Sequence, residues 1–321
     1  MEGGRLKKRL KEELIRLNKN IEIDNADNEI IKDIHNRHHG KAEELIEFLM
    51  LYHNLEMTSE FVRRGLPFIA RNHDEPNNTK IEAWNTLLRL RGYSVESKKK
   101  YTNEDIKKTI GIYKDSDEKL VLDNIAIRAQ SKAKYSAYNK GHFALGVKAY
   151  ATFTSPIRRL SDYINQRIYD DALKYGDAYA IKKWEPRMSA LAKIATDSEI
   201  RADKVERMAS KIKMAEYMEK CFPKYQRITA FISGIEEGKI KVILPNGIYG
   251  KILYNPKEYS ISKDGFCLKN NQTNEKLLVG DTIEVSFKRA NTETGEIIFI
   301  KENNKEYNYE EKKGKTKTKR R

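Results

Sequence analysis

The chain has 321 residues and a formal net charge of +15 at pH 7, with 34% of its residues charged. This basic balance is typical of proteins with a polyanionic partner, and nucleic acid is the first candidate. The sequence has no apolar run near the roughly 18 residues of a membrane span and no apolar signal-peptide core, so we expect a cytoplasmic protein. Cys221 and Cys267 lie far apart without zinc-type spacing, which favours reduced thiols.

Residues 6 to 17 show the first helical pattern. Its apolar positions are Leu6, Leu10, Leu14 and Leu17. Lysines and arginines lie between them, so the spacing predicts an amphipathic helix. Packing of its apolar stripe on protein is favoured over membrane binding. A short strand is expected at Ile21 to Ile23.

Residues 41 to 63 predict a second helix that is apolar nearly all round and is therefore expected to be buried. Glu47 lies in its middle. Because buried helices rarely carry carboxylates, Glu47 is a candidate functional residue. Further helices are predicted at residues 79–90, 103–113 and 188–222.

The most informative segment runs from Tyr150 to Asp162, YATFTSPIRRLSD. Ser155 can cap a helix and Pro156 suits its first position, so a helix is predicted from Ser155 to about residue 175. Free backbone N–H groups, the helix dipole, Arg158 and Arg159 would then converge at one place. That arrangement predicts a phosphate site.

Asp162 follows Arg158 by four residues and Arg159 by three, on the same helical face. It is predicted to orient a guanidinium group. The alternative is a surface salt bridge worth about 0.2–0.5 kcal/mol.

The predicted helix at 188–222 carries charges of alternating sign, including Glu206 and Arg207. Such a pattern ordinarily belongs to a solvated face stabilised by ion pairs. These two residues become site candidates only with support from outside the pattern.

After Pro223 the sequence changes to short β-rich segments. Strands are predicted at residues 225–232, 239–244, 248–253, 281–289 and 296–301. Five strands in about 80 residues are typical of an OB-fold barrel, although an inert structural barrel remains the alternative. The basic end, residues 305–321, is predicted to be a disordered arm that binds phosphates without sequence preference.

Several motifs resemble the ribonuclease II / ribonuclease R family of 3′-to-5′ exoribonucleases, in order from about residue 5 to 301. The matching segments are Ala42 to Met50, Arg71-x-His73-x-x-Pro76, Gly141-His142-Phe143 and Phe153-Thr-Ser-Pro-Ile-Arg-Arg159. The last is identical to the family signature. The resemblance implies an α+β fold: residues 1–222 as the helix-rich C-terminal part of the catalytic domain, then the OB-fold RNA-binding barrel at 223–304 and the tail.

The resemblance also implies a channel for single-stranded RNA and a magnesium-dependent attack of water that releases nucleoside monophosphates. Arg158 would neutralise the scissile phosphate as charge builds in the transition state. The candidate RNA-contacting residues are Arg159, Ser155, Thr154, His142, Glu47, Glu206 and Arg207.

The sequence departs from the family at Phe48, Thr152, Leu160 and Gln166. More importantly, it lacks the cluster Asp-x5-Asp-x-Asp-Asp that binds magnesium in the family, so no metal ligand is predicted in this chain. A histidine cluster at His35, His38 and His39 is better explained as a polar helix end or turn than as a zinc site.

Two hypotheses remain open. In one, the chain is the C-terminal part of an exoribonuclease whose metal-binding part is a separate polypeptide, so that the chain alone is inactive. In the other, it is a non-catalytic protein that binds single-stranded RNA.

Overall fold

The structure is a computed structural model, and it describes residues 21–23, 31–34 and 40–301. The helix predicted at 6–17, the histidine cluster at 35–39 and the tail at 305–321 lie outside the described residues. Within the described ranges, no helix combines the length and the apolar character that crossing a bilayer requires.

The first part of the described chain is mainly helical. Its α-helices are α1 (Lys41–Arg64), α2 (Asn78–Leu90), α3 (Asn103–Ile112), α4 (Lys119–Ala129), α5 (Leu160–Tyr175), α6 (Asp177–Trp184) and α7 (Met188–Cys221). Its strands are β1 (Ile21–Ile23) with β2 (Ile31–Ile34), and β3 (Ala70–Asn72) with β4 (Lys134–Ser136), each pair antiparallel. The helices α4 and α6 and the β3–β4 pair were not predicted from the sequence pattern.

The second part is a closed five-stranded barrel. Its strands are β5 (Arg227–Glu236), β6 (Lys239–Ile243), β7 (Tyr249–Leu253), β11 (Thr282–Asn291) and β12 (Glu296–Lys301). The order is β11-β12-β7-β6-β5, and β12 pairs with β7 in parallel. The predicted five-stranded barrel is confirmed, and its number of strands is that of an OB-fold.

A small antiparallel sheet is inserted between β7 and β11. It consists of β8 (Tyr259–Ile261), β9 (Cys267–Asn270) and β10 (Lys276–Leu278), in the order β10-β9-β8. The sequence pattern did not predict this sheet, because each strand has only three or four residues.

Two hydrophobic cores support these elements. One is shared by α2, α3, α4, the end of α7 and the barrel, so it extends across residue 222. The other joins the C-terminal half of α1 to α5, α6 and the start of α7. The helix α7 connects the two cores over about 50 Å at 1.5 Å per residue, and its middle, residues 200–208, is exposed. The domain division at residues 222 and 304 stays a prediction.

The helix α1 differs from its predicted burial. Its buried side chains, Asn54, Thr58 and Phe61, belong to its C-terminal half. In the N-terminal half, large apolar side chains are between 49% and 62% exposed: Leu45, Ile46, Phe48, Leu49 and Tyr52. The prediction of a buried helix is wrong for this half, because no described element packs over it.

Candidate functional site

The segment that carries the two arginines is a turn, not the start of a helix. The backbone N–H groups of Arg158 and Arg159 both donate to the carbonyl oxygen of Ser155, at 3.2 and 3.0 Å. Pro156 occupies the second position of this turn, where its fixed φ is favourable. The helix α5 begins only at Leu160, after Arg159 in an extended conformation with φ −124° and ψ 116°.

The predicted helix start at Ser155 is therefore wrong. The N–H groups of both arginines are already bonded inside the turn. These two N–H groups are therefore not available to an anion, whereas the guanidinium groups of Arg158 and Arg159 can bind one.

Asp162 fixes the turn to α5. Its carboxylate is fully buried and accepts hydrogen bonds from the backbone N–H of Ser155 at 2.9 Å, the hydroxyl of Thr152 at 2.5 Å and the hydroxyl of Ser161 at 2.9 Å. Burying a carboxylate costs free energy, and hydrogen bonds to its oxygens offset that cost. Moving the loop would break the hydrogen bond from Ser155 and leave a buried carboxylate oxygen without a donor. These bonds therefore hold the loop in one conformation.

Arg158 and Arg159 project from this fixed loop. Arg158 is exposed, and its side chain has no ion-pair partner within the described ranges. The guanidinium of Arg159 lies 4.0 Å from the carboxylate of Asp162. Asp162 thus contacts the loop backbone and Arg159, and no described contact joins it to Arg158. An arginine stays charged at every accessible pH, so Arg158 offers a permanent cation on a rigid base.

Polar side chains from two helices hold the segment that precedes the turn; Asn54, Thr58 and Asn165 are buried, and Gln166 is exposed. On α1, Asn54 accepts a hydrogen bond from the Phe153 N–H at 2.9 Å, and Thr58 accepts one from the Ala151 N–H at 3.0 Å. On α5, Asn165 donates to the carbonyl of Thr152 at 3.2 Å and Gln166 to that of Phe153 at 2.6 Å.

Sequence reasoning missed these four supporting residues, namely Asn54, Thr58, Asn165 and Gln166. Two of them could have been noticed, since Asn54 and Thr58 are polar residues spaced by four within an apolar helix and therefore share one face. Their partners are more than 90 residues away in sequence, so the pattern could not reveal what they bind.

His142 lies beside the start of the same segment. Its ring stacks on His73 at 4.9 Å and meets the ring of Tyr150 edge-on at 5.2 Å. Burial, together with nearby His73 and Arg71, lowers the pKa of His142 to about 4. The ring is therefore neutral near pH 7 and can offer hydrogen bonds but no charge.

Of the other predicted site residues, one adjoins the turn and three lie on other helices. Thr154 is half-buried and directly precedes Ser155. Glu47 is exposed on the N-terminal half of α1. Glu206 and Arg207 are exposed in the middle of α7, where Arg207 lies 3.7 Å from Asp203 one helical turn away. No described hydrogen bond or ion pair connects Glu47, Glu206 or Arg207 to the arginine loop.

The described ranges offer no cluster of metal-binding side chains. In residues 21–23, 31–34 and 40–301, no group of three or more His, Cys, Asp or Glu side chains is close enough to hold one ion. Magnesium requires several oxygen ligands in octahedral geometry. The donors present in this part of the chain do not fit that ion.

Comparison with known proteins agrees with the motifs. Residues 4–175 match the model of the RNB domain. The chain is 27% identical over 272 residues to ribonuclease R 1 of Lactococcus lactis, which covers 83% of this chain and 33% of that protein. It is 28% identical over 276 residues to ribonuclease R of Thermotoga maritima, with 84% and 39% covered.

Among solved structures, the apo form of Mycoplasma genitalium RNase R superposes with a TM-score of 0.79 at 23% identity. The match covers 88% of this chain and 45% of that one, and at this identity it supports the fold alone. The chain thus spans between a third and a half of the length of these similar proteins. Because the RNB model matches more than half of its residues, this chain belongs to the RNB domain family.

Proposed function

We propose that the chain is the C-terminal part of a 3′-to-5′ exoribonuclease that acts in the cytoplasm and hydrolyses single-stranded RNA to nucleoside monophosphates. Support comes from the family and from relatives named ribonuclease R. A structure of similar fold is described as a complex with ribose methylated single-stranded RNA. The observation that carries the proposal is Arg158, which is exposed and has no ion-pair partner among the described residues, on a turn fixed by the buried Asp162.

In this proposal Arg158 binds the scissile phosphate and stabilises the negative charge that develops during hydrolysis. A preorganised cation is effective in this role because it needs no reorganisation when the charge appears. Arg159, Ser155 and Thr154 contact the neighbouring phosphates, and His142 contributes hydrogen bonds as a neutral ring. Glu47, Glu206 and Arg207 line the path of the strand.

We further propose that a second polypeptide carries the metal-binding aspartates and that catalysis needs both parts. Magnesium, the metal expected from the family, would then polarise the reacting water and phosphate on that polypeptide's ligands. The exposed apolar side chains around Leu45 to Tyr52 support this idea. Residues 44–49 of α1 are all exposed, so apolar side chains lie on every side of this half of the helix. One additional helix could cover only one side, whereas the rest of a catalytic domain could surround it.

The experiment measures release of nucleoside monophosphates from single-stranded RNA with Mg²⁺. It compares the purified chain alone, a neighbouring gene product that carries the spaced aspartate cluster alone, and the two together. We expect hydrolysis from the mixture only. Hydrolysis by the chain alone would refute the need for a second part.

The non-catalytic alternative predicts a different result in the same assay. A protein that only binds RNA would retain the oligonucleotide intact in every mixture while still shifting its mobility. Measuring binding and product release on the same samples therefore separates the two hypotheses.

A further inference from the structure

The inserted sheet β8–β9–β10 has one buried and one exposed face. Leu268 and Leu277 lie opposite each other on the inner face, where they are 0% and 7% exposed. Because side chains alternate along a strand, the flanking residues Lys269 and Lys276 point to the outer face, and both are exposed.

Lys269 and Lys276 are directly opposite across the β9–β10 pair. Backbone bonds join Asn270 N–H to Glu275 O at 2.8 Å, and Val279 N–H to Phe266 O at 2.9 Å. The alternation of an antiparallel ladder then makes the lysine pair a non-hydrogen-bonded one, with Cα atoms about 4.5 Å apart and side chains at their closest. Two like charges in this position destabilise a sheet.

No carboxylate within the described ranges forms an ion pair with either lysine. The acidic side chains of the inserted segment, residues 255–280, have other partners: Glu275 pairs with Lys301, Asp264 with the hydroxyl of Ser262 and the N–H of Phe266, and Glu258 with Asn255. On the far side of Lys269, the opposite residue on β8 is Ser260, which extends the row with a hydroxyl.

We propose that this row, Lys276–Lys269–Ser260, binds the phosphate backbone of single-stranded RNA. The inference rests on the RNA-binding function proposed above and adds a second contact surface remote in sequence from the arginine loop. Lysine binds phosphate as a flexible point charge, and such contacts give affinity without sequence preference.

The character of the row favours RNA over a protein or a membrane. Protein interfaces are depleted in lysine and need aromatic or apolar anchors at their centre. Membrane surfaces need an exposed apolar face beside the charge. Leu268 and Leu277 are on the buried side, and Leu278, which shares the outer face with Lys276, is half-buried, so the exposed row offers charge and hydroxyl groups.

The first test measures binding of the full chain to a fluorescent oligoadenylate over a range of salt concentrations. Lys269→Gln/Lys276→Gln should weaken binding and reduce the slope of log K against log salt by about 1.4, which is about 0.7 for each lost phosphate contact on a single strand. Lys107→Gln/Lys108→Gln removes the same charge from two exposed lysines of α3 and is the matched control.

A single substitution, Lys276→Glu, should change stability and RNA affinity in opposite directions. It places a carboxylate opposite Lys269, so the melting temperature should rise while RNA affinity falls. Loss of affinity in a more stable protein cannot be explained by misfolding.

The outcomes distinguish the two proposals. If the unmodified chain binds the oligonucleotide and the double variant matches its control, the lysine row is refuted and the proposed function stands. If the unmodified chain has no affinity for RNA, the lysine row is refuted, and hydrolysis by the mixture decides the proposed function separately.

Discussion

The carboxylate of Asp162 and the backbone N–H of Ser155 are joined by a buried hydrogen bond of 2.9 Å. This bond connects the first turn of α5 to the loop that bears Arg158. The position of the exposed cation therefore depends on a side chain that no RNA could touch.

Replacing Asp162 tests this dependence. Asp162→Asn keeps the shape but substitutes an amide N–H₂ for one of two oxygens that both accept hydrogen bonds. We expect the free energy of unfolding to fall by about 1–3 kcal/mol, the cost of an unsatisfied buried group, as measured by urea denaturation. Asp170→Asn on the exposed side of the same helix is the control, with a change below about 0.5 kcal/mol. Equal effects of the two variants would contradict the structural role of Asp162.

Arg158→Ala should affect catalysis and leave the fold unchanged. Because the side chain is exposed and has no partner in the described part of the chain, its loss should change the free energy of unfolding by less than about 0.5 kcal/mol. In the reconstituted enzyme, single-turnover hydrolysis should slow by about 10²–10³-fold, with much less change in RNA affinity. Arg187→Ala, at another exposed arginine, is the control. A parallel loss of affinity and rate would show that Arg158 binds RNA equally in the ground state.

The exposed apolar half of α1 should contribute little to the stability of the chain by itself. Leu45→Ser/Phe48→Ser should leave the free energy of unfolding nearly unchanged, whereas Phe61→Ala in the buried half should lower it by about 3–5 kcal/mol. The same double variant should abolish hydrolysis in the mixture with the metal-bearing polypeptide. A large loss of stability in the isolated chain would show that its own residues cover this surface.

The stability of the chain should depend on pH through His142. Its pKa is about 4 in the folded protein and near 6.5 when unfolded, so the unfolded state binds more protons between these values. The contribution of His142 is therefore complete above pH 6.5 and declines as the pH falls toward 4. In His142→Gln the free energy of unfolding should depend less on pH between pH 6.5 and 5. Most carboxylates titrate below this range and therefore contribute little to the slope. His53→Gln, at an exposed histidine of α1, controls for the loss of a histidine elsewhere. An unchanged slope in His142→Gln would contradict the neutral ring.

Much of the architecture followed from the sequence because it depends on local patterns. The five barrel strands and the helices α1, α2, α3 and α7 were predicted close to their observed bounds, since alternation and helical periodicity act over a few residues. The termination of α1 at Gly65 in a left-handed conformation, φ 66°, is likewise a local effect. The motif around Arg158 pointed to the family, which the match to the RNB domain confirms.

Other features were decided by contacts between distant residues. The sequence pattern Ser-Pro fits both a helix start and a turn. The turn is selected by the hydrogen bond that the Ser155 N–H donates to Asp162, together with the hydrogen bonds of the side-chain amides of Asn54 and Asn165. Periodicity also predicted that α1 is apolar all round, but whether such a helix is buried depends on what packs over it. The sequence by itself determined which residues are apolar, charged or able to turn the chain. The tertiary structure decided which of them are covered, because burial is a property of neighbours that the order of residues does not specify.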